Sequence, residues 1–216
     1  MLKDIIKTLL GVCICLMVTT IAYADVVPLS VSDVPIGTLG VYQPTNSIKI
    51  YKESENNSKL VYQKTWDYST VSAQGYSDSM FAILQDDKEL AFLYATDMDE
   101  NFVEVIYNKE QNFKGWVNKE DEFQFLPWIN FYNMYGRKYG LKVLTGAPQF
   151  VYDLHTRSEK DSQVIARINR PKIINLTAIQ GNWALVTVSD IDCVAKTGYI
   201  QWRGDDGKLY VFPKMD

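Results

Sequence analysis

Hydrophobic residues in this chain fall mainly in short runs rich in Val, Ile, Tyr and Phe, with polar clusters between them. Residues 47–51, 81–84, 90–96, 102–108 and 114–118 read as strands, and a further short strand is expected around 39–42. Gln85-Asp86-Asp87-Lys88 and Met98-Asp99-Glu100-Asn101 are turn clusters. Residues 64–80 hold Thr, Ser, Gln and Gly and read as a long loop or arm. The same grammar returns at 150–152, 164–168, 172–178, 183–188, 197–202 and 209–212. Gln180-Gly181-Asn182 is a turn between two of these runs, and Asp205-Asp206-Gly207 is the strongest hairpin signal, because Asp and Gly tolerate positive φ.

One stretch has a different period. Trp128, Phe131, Tyr132, Tyr135 and Tyr139 recur at helical spacing and predict a helix over 126–139 with one aromatic face. Pro127 suits its first turn and Gly140 its stop, while Gly136 works against it. The face is expected to pack against a core; the rival role is an aromatic binding surface.

The two halves repeat each other. Ile50-Tyr51 followed by Ser58-Lys59-Leu60-Val61 answers to Val151-Tyr152 followed by Ser162-Gln163-Val164-Ile165. Asn101-Phe102-Val103-Glu104-Val105 and Lys114-Gly115-Trp116-Val117 answer to Asn182-Trp183-Ala184-Leu185-Val186 and Thr197-Gly198-Tyr199-Ile200. The order is the same and the spacings are close, which marks a duplicated all-β unit.

These residues resemble the bacterial SH3-like domain. Gly181-Asn182-Trp183-Ala184-Leu185-Val186 with Gly198-Tyr199-Ile200 carries the better match. The first half departs by the 64–80 insertion and by having no Gly before Phe102. The family's Arg-Ser/Ala-Gly-Pro signature is replaced by Lys52-Glu53-Ser54-Glu55 and Asp153-Leu154-His155-Thr156. The resemblance implies an all-β fold of two small barrels in tandem, at 47–126 and 148–213. An irregular segment at 25–46 would precede them and an aromatic helical connector at 127–147 would join them. Glycine fits where a strand of a small barrel bends or approaches another backbone, so Gly115 and Gly198 are expected at such points.

The N-terminus reads as a secretory leader over residues 1–24. Lys3 and Lys7 precede an apolar run from Leu9 to Val18, and Ala22-Tyr23-Ala24 is a small-x-small cleavage site. The run falls short of the ~20 residues that a spanning helix needs. Cys13 and Cys15 follow Val12 and Ile14 rather than small residues, which argues against lipidation. Removal of the leader leaves Cys193 as the one cysteine, so the exported chain has no disulfide framework. Its core must hold it together. The expected location is the periplasm or cell envelope, with no stable membrane insertion once the leader is cleaved.

Charge and composition narrow the function classes. The chain has 26 acidic and 22 basic residues, a net charge of -4, which does not suit nucleic-acid binding. With one histidine, His155, no zinc-ligand spacing and no phosphate-cradling Gly loop, neither metal nor cofactor is expected. Asp97-Met98-Asp99-Glu100-Asn101 opens like a calcium loop, but Phe102 and Asn108 stand where such a loop wants Gly and Glu, so a hairpin turn is expected. Arg203-Gly204-Asp205 is assigned to its turn for the same backbone reasons. The carboxylate pairs, Glu120-Asp121-Glu122 among them, lie in turns or loops, and exposed acids are the default there.

The resemblance implies a non-enzymatic recognition module that binds peptidoglycan or a cell-wall peptide. Tyr51, Trp66, Tyr68 and Tyr76 are the expected groove aromatics of the first half, and Tyr152, Tyr199 and Trp202 those of the second. The alternative is an envelope adaptor, or an inhibitor of the immunity type that plugs an enzyme. An enzyme built on Cys193 or an acidic pair is the weakest expectation.

Overall fold

The computed structural model describes residues 26–67, 79–85, 87–119, 124–168, 173–189 and 194–215. The leader, Tyr68, Tyr76, Cys193 and the 120–122 acids lie outside the described residues.

The first half contains β1 (Gly40–Tyr42), β2 (Ser47–Tyr51), β3 (Leu60–Thr65), β4 (Ile83–Gln85), β5 (Leu90–Met98), β6 (Phe102–Asn108), β7 (Phe113–Asn118) and β8 (Phe125–Pro127). The second contains β9 (Leu141–Val143), β10 (Asp153–His155), β11 (Val164–Arg167), β12 (Ile173–Gln180), β13 (Trp183–Ser189), β14 (Ala195–Gln201) and β15 (Val211–Pro213). Between them run a helical turn α1 (Trp128–Phe131), a π-helical turn (Tyr132–Gly136) and a last turn α2 (Arg137–Tyr139). Gly140, at φ +77°, ends this central helix.

Each half forms one sheet, and the two sheets follow the same path. The first runs β3-β2-β7-β6-β5-β1-β8, with β4 attached to β5; the second runs β11-β10-β14-β13-β12-β9-β15. The registers agree as well. Glu104 faces Trp116 and Val105 faces Gly115, as Leu185 faces Tyr199 and Val186 faces Gly198. The last paired residue of β2, Tyr51, meets Trp116 just as His155 meets Tyr199. Irregularities recur at Ile50/Tyr51 and Leu154/His155, and at Ala95/Asp97 and Leu176/Ala178. Bulges at these places bend the strands. Among the described residues no pairing joins β3 to β8 or β11 to β15, so neither sheet closes into a barrel.

Three local expectations change. Residues 150–152 belong to a 3-10 turn, Gln149–Tyr152, and the strand is β10 just after it. Pro148 begins that turn with φ -61° and leads the chain into it. The arm expected at 64–80 starts later, because β3 pairs with β2 through Thr65. The helix expected over 126–139 begins at Trp128, because Leu126 and Pro127 pair with β1 as part of β8; β8 and β9, three residues each, are too short to show a period in the sequence.

The core has two parts, one inside the first sheet and a larger one that runs from the first half through the central helix into the second. β5 is buried on both faces. Ala91, Leu93 and Ala95 join Ile48, Ile50, Val103 and Val105 inside the first sheet, while Phe92 and Tyr94 face the central helix. Phe92 meets Phe131 and Tyr135 edge-on, with centroids 5.6 and 5.4 Å away. From the other side Phe212 packs on Trp128 and Phe131, and Trp202 lies 4.4 Å from Tyr132. The predicted aromatic face of the helix is therefore the centre of a core that spans both halves. Gly136 makes this approach possible, since a Cβ there would sit 3.0 Å from Leu176 and 3.1 Å from Leu141. Among the described residues no helix is long and apolar enough to cross a membrane.

Candidate functional site

A groove of about 250 Å3 opens beside β2 in the first half. Alternation along β2 explains why it is polar. Ile48 and Ile50 point into the core, so Ser47, Lys49 and Tyr51 point out. Asn118, at the end of β7, and Gln124, just before β8, form the facing wall. Tyr42 on β1 donates its hydroxyl to Gln124 Oε1 at 3.1 Å, and the Gln43 N–H donates to the Gln124 carbonyl at 2.8 Å. These bonds hold the Gln124 amide in the wall.

Among the described residues the groove is lined by a cation and several amides and hydroxyls. The Lys49 side chain has neither an ion pair nor a hydrogen bond among the described residues, and the same holds for the Asn118 amide. The arrangement can receive a carboxylate at Lys49 and an extended chain along Tyr51, with Asn118 able both to donate and to accept.

The matching place in the second half is filled. His155 stands where Tyr51 stands, but it is 7% exposed. Its ring meets Trp183 edge-on at 5.2 Å, and Nδ1 lies 3.2 Å from the Ser162 carbonyl. Ser162 in turn donates its hydroxyl to the Arg157 and Glu159 carbonyls at 3.0 and 2.8 Å. His155 therefore fastens the loop between β10 and β11.

The aromatic residues expected from sequence separate into different places. Tyr51 lines the groove and is half-buried. Trp66 is corrected to a core residue, 3% exposed, with its ring edge-on to Phe81 at 5.5 Å. It continues the β2–β3 ladder by one residue, its N–H donating to Asn46 O at 2.9 Å, and its side chain lies on the covered face. Trp202 is likewise core at 1% exposure, and its indole N–H donates to the Gly181 carbonyl at 3.0 Å. Tyr152 packs partly buried against the main core, and Tyr199 is half-buried in β14 opposite Leu185. Tyr51 is the one described member of the expected set that lies in the groove. Lys49, Asn118, Gln124 and Tyr42 were not foreseen. The outward alternation of Ser47, Lys49 and Tyr51 was the signal for part of the site; the Asn118–Gln124 wall depends on long-range pairing.

Several acidic side chains elsewhere are tied into turns and pairs. Asp99 Oδ1 accepts from the Asn101 and Phe102 N–H groups and closes a hairpin. Arg203, Gly204 and Asp205 lie in the turn where Gly204 N–H donates to Lys208 O, and Asp205 is paired with Lys160 at 2.7 Å. The Lys160 ammonium and the Asn182 amide hold the Asp205 carboxyl below its usual range. Among the described residues no three His, Cys, Asp or Glu side chains are grouped to hold a metal ion. Comparison with protein-family models and with curated proteins found no match for this chain.

Proposed function

We propose that this protein is an exported, non-enzymatic binding module of the bacterial cell envelope that recognises peptidoglycan or a cell-wall peptide. The observation that carries the reading is the open groove in which, among the described residues, Lys49 has no partner, the Gln124 amide is held in place and Tyr51 supplies an aromatic wall. A stem peptide offers the complementary chemistry, an extended chain with free carboxylates. The common strand order and register of the two sheets support two SH3-like units in tandem, with the second kept as scaffold.

Co-sedimentation of the leader-free protein with isolated peptidoglycan, at low and moderate salt, tests this. Pelleting should persist at moderate salt, and Lys49→Ala should weaken it about tenfold, the worth of one charge-assisted hydrogen bond. Cys193→Ala should bind normally. Absence of pelleting at low salt would overturn the reading.

A protein partner is the second reading, and the outer strands favour it. Leu60 and Val61 on β3, and Val164 and Ile165 on β11, are exposed at the ends of the two sheets. Such edges suit strand addition. Capture of one envelope protein by the wild type, lost on Val61→Lys, would select it.

A further inference from the structure

A second cavity, of about 490 Å3, shares no lining residue with the groove and lies under the N-terminal segment. That segment is firmly attached. Val26 exchanges both backbone hydrogen bonds with Leu84, at 3.0 and 2.8 Å, and Val31 N–H donates to Thr145 O at 3.0 Å. Val27, Pro28 and Ala82 give the cavity apolar walls, and the volume falls within the usual range for a small-ligand site. Tyr94 reaches it from β5 and donates its hydroxyl to the Asp33 carbonyl at 3.0 Å.

Among the described residues the charged groups at this cavity are Asp33, Lys109 and Glu110. Lys109 is committed to the protein, since its ammonium donates to the Phe81 carbonyl at 2.7 Å. The Asp33 carboxylate is fixed by the N–H groups of Leu29 and Ser30, at 2.9 and 2.8 Å. The Glu110 side chain has neither ion pair nor hydrogen bond among the described residues. Two carboxylates thus face one tethered cation across apolar walls. The excess of carboxylate over ammonium at this mouth disfavours an anion and favours a cation. We propose that this cavity binds a primary ammonium on a short apolar stem, either a free amine or a lysine-type side chain of a partner peptide. The stem lies on Val27, Pro28 and Ala82, and the head meets Glu110 and Asp33.

The test is a heteronuclear NMR titration of the purified protein with n-pentylammonium, n-pentanol and pentanoate at low salt. Pentylammonium should give saturable shifts confined to Val27, Ala82, Tyr94 and Lys109. Pentanol should bind at least tenfold more weakly, and pentanoate should not bind, given the sign of the mouth. Glu110→Gln, an exposed change that leaves the core untouched, should weaken pentylammonium several-fold and leave pentanol unchanged. N-acetyl-lysinamide binding as well as pentylammonium would assign the natural source to a side chain, and binding of the free amine alone would assign it to a small amine. Equal affinity for amine and alcohol, shifts scattered over the acidic surface, or indifference to Glu110→Gln would each overturn the proposal.

Discussion

Gly115 and Gly198 occupy the same point of the two sheets. A Cβ on Gly115 would lie 2.9 Å from the Tyr51 carbonyl, and one on Gly198 would lie 2.7 Å from the His155 carbonyl. In each sheet the strand that crosses here carries a bulge one residue earlier. The backbones approach too closely for any side chain. Gly198→Ala and Gly115→Ala should each destabilise by about 1–3 kcal/mol, the usual cost of forcing atoms into packed space. Urea unfolding checks it, and a neutral Gly198→Ala would show that β10 can move aside.

A second prediction follows from the position of Phe92. It is fully buried on a strand of the first half, yet its ring rests on Phe131 and Tyr135 of the central helix. Phe92→Ala should cost about 3–5 kcal/mol, as for other buried aromatic truncations. Because the core runs through the helix into the second sheet, unfolding should remain a single transition by fluorescence and by circular dichroism. Two separated transitions, with only the first-half signal lost early, would show that the halves are independent.

How much of this was legible in the sequence depends on range. β2, β6, β7 and β13 were readable because a short run rich in Val, Ile, Tyr and Phe between polar turns needs no knowledge of its neighbours. The aromatic helix was readable from its own spacing, and the internal repeat from Gly115-Trp116-Val117 and Gly198-Tyr199-Ile200. The cluster that spans both halves was not. It depends on Phe92 having a buried face beyond its own sheet, and a run such as Ala91-Phe92-Leu93-Tyr94-Ala95 shows two buried faces without naming the partner of either. Trp66 and Trp202 failed as groove residues for a related reason. Both continue their strand ladders by one residue, and the faces they occupy are covered by residues distant in sequence, Phe81 and Tyr132.

The C-terminus provides a third prediction. Met215 is 1% exposed, and its carbonyl accepts from Gln85 Nε2 and, at 3.3 Å, from Lys88 Nζ. Lys214 N–H donates to Gly140 O at 2.9 Å. The tail therefore ties the β4–β5 hairpin of the first half to the end of the central helix. Met215→Ala should destabilise by about 2–5 kcal/mol, as for a buried Met truncation. Hydrogen exchange should accelerate in the β4–β5 hairpin as well as in β15. Faster exchange in β15 alone would mean that the tail does not brace the first half.

A pH-dependent prediction rests on Asp33. Burial opposes ionisation of its carboxyl, but the N–H groups of Leu29 and Ser30, the Ser30 side chain and the nearby Lys109 outweigh it and hold the group below the ordinary carboxylate range. A carboxyl whose folded value is depressed stabilises the fold above its unfolded value, ~3.9, and loses that contribution as pH falls through the folded value. Asp33→Ala should therefore be less stable than wild type by a constant margin across neutral pH, with the gap narrowing below about pH 4. Other carboxylates titrate in both proteins and largely cancel in the difference. Urea midpoints of the two proteins at pH 7, 5, 4 and 3 check this. A gap that stays constant to the lowest pH would assign the effect to packing of the side chain and not to its charge.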